Sequence, residues 1–216
     1  KEELISEAYD RMRFDVNVSH ILFRTDESAL PKDTLLKYNL AMEAKSKIEK
    51  GELSFNEAVK EYSEEDYNNG NLGYFTAFDM VYSFETAAYN TEIGAISNIV
   101  KTKYGYHLLK INDKRPSVGQ VKVSHIMFRF PQGATNNQIN AIKPKIDEVY
   151  NKLKEGEDFA TLADRYSEDR STAVKGGEVP WFGINKTAKE FEEASFSLEN
   201  IGDFTKPFKT DLGWHI

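Results

Sequence analysis

The sequence predicts an α+β protein built from two tandem domains, each with a four-stranded, antiparallel-rich sheet surrounded by helices. The first reason is an internal repeat. VNVSHILFR at Val16 returns as VKVSHIMFR at Val121, and FNEAVKEYSEED at Phe55 returns as FATLADRYSEDR at Phe159. The second reason is that each copy is long enough for a small domain and too long for a solenoid repeat. The third is that helical patterns interrupt a run of strands within each copy.

The first copy opens with a strand and two helices. Apolar residues alternate over residues 16–23, which predicts a strand. A helix follows, because apolar residues fall on one helical stripe: Leu36, Leu40, Ala44 and Ile48. Gly51 is suited to end this helix. Residues 55–62 have the apolar spacing of a second, shorter helix.

The rest of the copy predicts a strand, a helix and a hairpin. The aromatic segment 72–75 indicates a strand, and residues 84–89 indicate a short helix. Residues 96–101 and 106–111 are strand-like and flank a turn at 103–105. The order within one copy is therefore β-α-α-β-α-β-β.

The second copy repeats this pattern with one irregularity. The apolar stripe of its long helix consists of Ile139, Ile142, Ile146, Val149 and Leu153, and Gly156 follows. Pro144 lies inside that stripe, so we expect a kink or a late helix start there.

The repeat also sets the expected domain boundaries. Residues 1–14 match neither copy and are assigned to the end of an upstream helix or a linker. The first domain takes residues 15–115, and a linker takes 116–120, which contains Pro, Ser and Gly. The second domain takes 121–216, and we expect it to be truncated within its last strand.

Composition excludes several classes of function. The 28 Lys and Arg against 35 Asp and Glu give a net charge of −7, which argues against a nucleic-acid partner. No stretch approaches the roughly 18 apolar residues of a membrane span. The absence of Cys excludes disulfide scaffolds, thiol nucleophiles and Cys-type zinc sites.

The ordered motifs of both copies point to one family. HIL, YSEED, GNLGYF, FETAAY, IGAIS and YGYHLL follow one another in the first copy, and most return in the second. This order resembles the parvulin-type (rotamase) peptidyl-prolyl isomerases. The tandem arrangement after a helical segment looks like the SurA/PpiC-like periplasmic chaperones.

The resemblance implies a fold and an activity. Each domain is expected to have the order β-α3-β-α-β2 and to isomerise X-Pro bonds of unfolded or secreted polypeptides without a cofactor or a metal. Outer-membrane protein clients and a periplasmic location are implied in the same way. The alternative is a non-catalytic chaperone that binds peptides through degenerate domains of this family. A hydrolase or metal enzyme is weakly supported, because the sequence has no HxxxH or HxH spacing.

The same resemblance assigns site residues. In the first copy the socket for proline consists of Leu72, Phe75, Met80 and Phe84. In the second copy the corresponding residues are Val179, Phe182, Thr187 and Phe191. The family's histidine pair maps onto His20 and His107, and onto His125 and His215, which together are all 4 histidines of the chain. An acidic position maps onto Asp169, and onto either Glu65 or Asp66.

Each assignment has a plainer interpretation. Met80 and Phe84 lie four apart and could share one surface of a helical turn, but such a group can also be ordinary core. Histidines on apolar strand faces are often structural, and the acidic positions could belong to a solvated loop. A paired-histidine network could nevertheless organise a site without donating a proton.

The two copies are not equivalent. The second has Thr187 where the first has Met80, Val179 for Leu72, and Pro180 for Gly73. A hydroxyl and a smaller volume should weaken a proline socket. We therefore expect the first copy to be the better isomerase and the second to serve more for binding. The acidic loop at residues 25–33 predicts no preference for phosphorylated substrates.

Overall fold

The computed structural model describes residues 2–65 and 67–216. The chain divides into two compact units, of which the first ends at Ser117 and the second spans Val118–Ile216. In the described part of the chain no helix is long and apolar enough to cross a bilayer.

The first unit has four helices and four strands among its described residues. In chain order these are α1 (Glu2–Met12), β1 (Phe14–Arg24), α2 (Pro31–Glu49), α3 (Phe55–Tyr62), β2 (Asn71–Phe75), α4 (Tyr82–Asn90), β3 (Val100–Thr102) and β4 (Gly105–Pro116). A short 3-10 turn, Tyr67–Gly70, precedes β2. The strands form one antiparallel sheet in the order β2-β1-β4-β3. The predicted fold class is confirmed.

β1 is a central strand, with β2 on one side and β4 on the other. Successive side chains of a strand face opposite sides of the sheet. Val18 enters a core with Phe75 and Phe84 on one side, whereas Ile21 and Phe23 pack against α2 and α3 on the other. The sheet is therefore covered on both faces.

The two helices before β2 follow the sequence closely, with one exception. α2 ends just before Gly51, which adopts φ 72°. α3 begins with a capping box between Ser54 and Glu57. Ala44 is buried as expected, but Leu36 is 57 % exposed, so the predicted stripe is wrong at that end.

The last strands also differ from expectation in extent. The ladder strand is Val100–Thr102, so it overlaps only the end of the predicted segment 96–101, while Ile96 makes an isolated bridge to Lys110. β4 is longer than predicted, because it pairs with β1 as far as Pro116.

The second unit repeats the order with shorter strands. Its elements are β5 (Met127–Arg129), α5 (Asn136–Lys154), α6 (Phe159–Tyr166), α7 (Arg170–Ala173), α8 (Lys189–Phe196), β6 (Phe208–Lys209) and β7 (Gly213–His215). α5 begins at Asn136 and continues through Pro144, so the helix does not start late. Ile146, Val149 and Leu153 are buried in the core of this unit.

The sheet of the second unit is less complete than predicted. β5, β7 and β6 form a three-stranded sheet, and only isolated bridges join Val121 to Phe182 and Ser124 to Glu178. These bridges lie where β1 pairs with β2 in the first unit. There, Gly73 adopts φ 74°. Pro180 stands at this position in the second unit, and a proline ring fixes φ near −65° and removes an N–H donor.

Candidate active site

Two histidines meet on one face of the first sheet. His20 lies on β1 and His107 on the neighbouring β4, in register with Leu109 and Leu22 respectively, so the two imidazoles are diagonal neighbours. Their Nδ1 atoms are 3.4 Å apart. Their rings are stacked with centroids 5.6 Å apart, and both side chains are buried. Strand register alone therefore creates the pair.

A cavity of about 410 Å³ opens at this histidine pair. Its lining includes six predicted site residues: His20, Glu65, Leu72, Met80, Phe84 and His107. Leu72 comes from β2, Phe84 from α4, and Met80 from the turn before α4. The volume falls in the range of about 300–1,000 Å³ typical of small-ligand sites.

Two details of the predicted socket differ. Phe75 is 0 % exposed and does not line the cavity; its ring packs behind Phe84 with centroids 6.1 Å apart. Met80 precedes the helix, which begins at Tyr82, so it does not share a helical turn with Phe84. Met80 and Phe84 nevertheless both line the cavity.

Phe84 forms a hydrophobic contact with both histidines. Its ring is nearly perpendicular to each imidazole, with centroids 6.0 Å from His20 and 5.3 Å from His107. Such edge-to-face contacts stabilise aromatic clusters beyond the burial of area. The three rings therefore form one packed unit beside Leu72 and Met80.

Burial keeps these histidines neutral at pH 7. It lowers the pKa of His107 to about 4, with a further contribution from the neighbouring His20. Burial also lowers the pKa of His20, and the charge of Glu65 opposes this shift only in part. Desolvation penalises the charged imidazolium, which explains both directions.

Thr102 fixes the orientation of the pair and was missed by sequence reasoning. Its Oγ1 lies 2.8 Å from His107 Nε2 and accepts the Tyr104 N–H at 3.0 Å. Its hydroxyl hydrogen can then be donated to His107 Nε2, which places the proton of His107 on Nδ1, facing His20. The shared letters KTKYGYH and KTDLGWH of the two copies contain this signal.

The structure describes only one of the two acidic candidates of the first copy. Glu65 lines the cavity. Asp66 lies outside the described residues. Within residues 2–65 and 67–216, no hydrogen-bond partner reaches the buried Nε2 of His20.

Gly70 is required for the approach of the chain to the site. It adopts φ 75°, and a Cβ at this position would lie 2.5 Å from the His20 carbonyl oxygen. Gly177 repeats this arrangement against the His125 carbonyl, with a distance of 2.4 Å. Both positions therefore exclude a side chain.

The second unit builds a related histidine pair. The rings of His125 and His215 are stacked with centroids 5.7 Å apart. His215 Nε2 lies 2.9 Å from Thr210 Oγ1, as in the first unit. Burial lowers the pKa of His215 to about 4, followed by the effect of His125, while Asp169 acts in the opposite direction.

Asp169 bonds the histidine pair of the second unit directly. Its Oδ2 lies 2.9 Å from His125 Nε2. Burial alone would raise the pKa of Asp169, but hydrogen bonds from Ser171, Thr172 and His125 outweigh it and hold that pKa well below its usual range. Asp169 also caps α7 through the Ser171 N–H. The acidic loop therefore holds the imidazole by an ionic hydrogen bond.

The four residues predicted to form the socket of the second unit are buried or half-buried. Phe182 and Phe191 are buried and pack together with ring centroids 5.9 Å apart. A cavity of about 40 Å³ beside His125 and Phe191 extends towards Phe159 and Ile216 and is not the counterpart of the first cavity, since neither Val179 nor Thr187 lines it. Both of those residues are half-buried.

The comparison with protein families identifies the chain. The Rotamase model, the PPIC-type PPIASE domain, matches residues 20–113 and again residues 125–216. The chain belongs to this family and contains two of its domains. The resemblance seen in the repeated motifs is therefore confirmed.

Curated relatives match almost the whole chain. A protein named Chaperone SurA from Nitrosococcus oceani is 27 % identical over 207 residues, covering 93 % of this chain and 47 % of its own length. Chaperone SurA from Pseudomonas syringae pv. tomato is 31 % identical over 212 residues, covering 94 % and 48 %. The chain spans about half the length of these relatives.

Solved structures of peptidyl-prolyl isomerases also match parts of the chain. The peptidylprolyl isomerase PrsA from Bacillus anthracis is 33 % identical with a TM-score of 0.41, covering 51 % of this chain and 46 % of its own. NmPin, the parvulin of Nitrosopumilus maritimus, is 33 % identical with a TM-score of 0.35, covering 45 % of this chain and 94 % of its own.

Proposed function

We propose that the chain is a peptidyl-prolyl cis–trans isomerase with chaperone character, and that the first unit carries the active site. The observation behind this proposal is the cavity of about 410 Å³ that joins Leu72, Met80 and Phe84 to the His20–His107 pair. Its substrates are X-Pro segments of unfolded or extended polypeptides.

The reaction requires little covalent chemistry. Amide conjugation gives peptide rotation a barrier of about 18–20 kcal/mol, while the two X-Pro isomers differ by only about 0.5–1 kcal/mol. No bond breaks. A catalyst needs to bind the twisted, deconjugated amide more tightly than the planar one. A pocket for the ring and a preorganised surround for the carbonyl are sufficient.

The first cavity supplies these features from the residues of this chain. Leu72, Met80 and Phe84 provide apolar contact for the proline ring, and burying that ring excludes water from the adjacent amide. A twisted amide has a more basic nitrogen and a carbonyl less polarised by resonance. An apolar surround therefore favours it over the planar form.

The histidine pair acts as a neutral scaffold. With pKa values lowered by burial, neither His20 nor His107 is a proton donor as an imidazolium at pH 7. The pair holds Phe84 at its edge-on angle and orders the floor of the cavity. Glu65, which also lines the cavity, carries a negative charge that acts on His20.

We propose that the second unit binds polypeptide more than it catalyses. Its socket has the half-buried Thr187 where the first unit has Met80, and a hydroxyl is a poorer wall for a proline ring than a thioether. The name of the SurA relatives supports chaperone character for this chain. Outer-membrane protein clients and a periplasmic location are implied only by the resemblance to that group and stay predictions. A chain that only binds polypeptides, without catalysis, is the competing function.

The test is isomerisation of a short X-Pro peptide by the full chain and by two matched variants. Met80→Ala should remove most of the rate enhancement, whereas Thr187→Ala should retain it. Suppression of client aggregation, measured in parallel, should persist in both variants. Wild-type protein that suppresses aggregation but does not accelerate isomerisation would instead establish the purely binding function.

A further inference from the structure

Arg11, near the end of α1, is a buried cation. Its side chain is only 7 % exposed, although it belongs to a segment outside the repeat. Its guanidinium carbon lies 5.1 Å from the ring centroid of Tyr82 and 5.6 Å from that of Tyr89. A desolvated cation between two aromatic rings is favourably placed, because the ring faces are negative.

The polar partners of Arg11 also lie on α4 or support its contact with α4. Nη2 donates to Thr86 Oγ1 at 2.8 Å, and Nη1 lies 3.8 Å from Glu85 Oε2. Glu7, one turn earlier on α1, pairs with Arg11 and accepts the hydroxyl of Tyr82 at 3.0 Å. α4 is the helix that carries Phe84, so α1 is anchored to a wall of the cavity.

Glu85 links Arg11 to the turn that carries Met80, which lines the cavity together with Phe84. Its side chain is buried, and its Oε1 accepts the backbone N–H of Met80 at 3.1 Å. The same carboxylate also accepts a backbone hydrogen bond from Phe78, which adopts the left-handed conformation at φ 73°. The Glu85 carboxylate therefore binds two backbone N–H groups of the turn that presents Met80 to the cavity, and Asp79 within the turn accepts a third from Thr76.

The second unit has a counterpart of Glu85 but no counterpart of α1. Glu192 Oε2 accepts the backbone N–H of Asn185 at 2.6 Å, and Asn185 adopts φ 59°, as Phe78 does in the first unit. All residues of the second unit are described, and it has no helix before β5. The carboxylate-held turn is thus common to both copies, and the buried arginine is specific to the first.

We infer that Arg11 and Glu85 are positioning residues: α1, through Arg11, fixes α4 and the Glu85 carboxylate, which in turn fixes the Met80 turn and the shape of the first cavity. This inference rests on the proposed isomerase function for its consequence in catalysis. That the position of Met80 depends on Arg11 is a structural claim, and it can be tested whether or not the chain is an isomerase.

The test uses the full chain and two kinds of readout. Arg11→Met removes the charge and keeps the length of the side chain, and Glu85→Gln keeps the shape but presents an amide to Arg11. Arg11→Lys restores a cation without the planar donor geometry. Lys114→Met is the control, because Lys114 also lies over the Tyr89 ring, at 5.7 Å, but belongs to β4.

The first readout is kcat and KM on an X-Pro peptide. Displacing a positioned group by ~1 Å can cost about 100-fold in rate, so we expect at least about a tenfold fall in kcat/KM for Arg11→Met and Glu85→Gln. Arg11→Lys should recover part of the loss, and Lys114→Met should match the wild type.

The second readout is the methionine methyl resonance. The chain has 4 methionines, so ¹³C-methyl labelling gives few signals, and that of Met80 is assigned with Met80→Leu. The Met80 signal should shift in the Arg11 and Glu85 variants, while that of Met127, in the second unit, should not.

The two readouts distinguish a failure of the positioning inference from a failure of the proposed isomerase function. Unchanged kcat/KM together with an unmoved Met80 signal overturns the inference. A wild type without isomerase activity refutes the proposed function, and the Met80 signal then still decides the positioning role. Circular dichroism shows whether each variant is folded, and if Arg11→Met unfolds, Arg11→Lys and Glu85→Gln provide the same test.

Discussion

Acidification should destabilise the second unit through His215. Burial lowers the pKa of this imidazole from 6.5 to about 4. The unfolded chain therefore binds a proton in a pH range where the folded unit does not. The stabilising contribution is complete above pH 6.5 and is lost as the pH falls towards 4.

The magnitude follows from the size of the shift. The difference between 6.5 and about 4 corresponds to ~3 kcal/mol at 1.36 kcal/mol per pKa unit. This is a large fraction of a typical unfolding free energy of roughly 5–15 kcal/mol. The groups that face His215 are His125 and Asp169. Asp169 has a lowered pKa, so its own contribution is lost only below its unfolded value of 3.8.

Tryptophan fluorescence isolates this unit. Both tryptophans of the chain, Trp181 and Trp214, lie in the second unit. Urea unfolding followed by their emission should give a midpoint that falls steadily between pH 7 and pH 4.5. His215→Gln cannot gain a proton but can still bond Thr210, so its midpoint should be lower at pH 7 and depend less on pH.

The reasoning fails if the wild-type midpoint is the same at pH 7 and pH 4.5. It also fails if His215→Gln has the wild-type pH dependence, because another group would then be responsible. A change in the urea m-value with pH would indicate departure from two-state unfolding and has to be checked first.

Three further predictions concern the first unit. Gly70→Ala should destabilise it by more than Gly51→Ala: both glycines have positive φ, but only at Gly70 would a Cβ meet a carbonyl oxygen. Denaturation followed by circular dichroism should show a loss of ~1–2 kcal/mol at Gly51 and a larger loss at Gly70. Thr102→Val should cost about 1–3 kcal/mol, because it leaves the buried His107 Nε2 without its partner; equal stability would contradict the hydrogen-bond assignment. Phosphorylation before proline should not raise kcat/KM in paired-peptide assays, because the loop at residues 25–33 is acidic; a clear preference for the phosphorylated peptide would refute this.

Local patterns were sufficient for much of the fold. The alternation of β1, the stop at Gly51 and the apolar spacing of α3 depend on neighbours within a few residues, so they can be derived from the sequence. The repeat extended these assignments to the second unit. The extent of pairing was less predictable, because it depends on a partner strand elsewhere in the chain. At Pro180, the missing donor and the fixed φ explain the weaker ladder only once the partner is known.

For the candidate site, too, the sequence indicated some features and the tertiary structure decided the others. The sequence by itself determined where the four histidines stand in the repeat, and its resemblance to the family pointed to Leu72, Met80 and Phe84. Only the tertiary structure decided which apolar residues line the cavity: Phe75 is fully covered, whereas Met80 lies on a turn and remains accessible.

The supporting contacts were decided by tertiary structure alone. Thr102 reaches His107 across a hairpin, and Arg11 reaches Glu85 between two helices that are distant in sequence. A single sequence gives the periodicity of each element but not the surfaces on which two elements meet. The burial of a charge depends on those surfaces, because it is set by everything that packs around the charge. That is why the contact between an arginine outside the repeat and the helix that carries Phe84 could be recognised only in the folded unit.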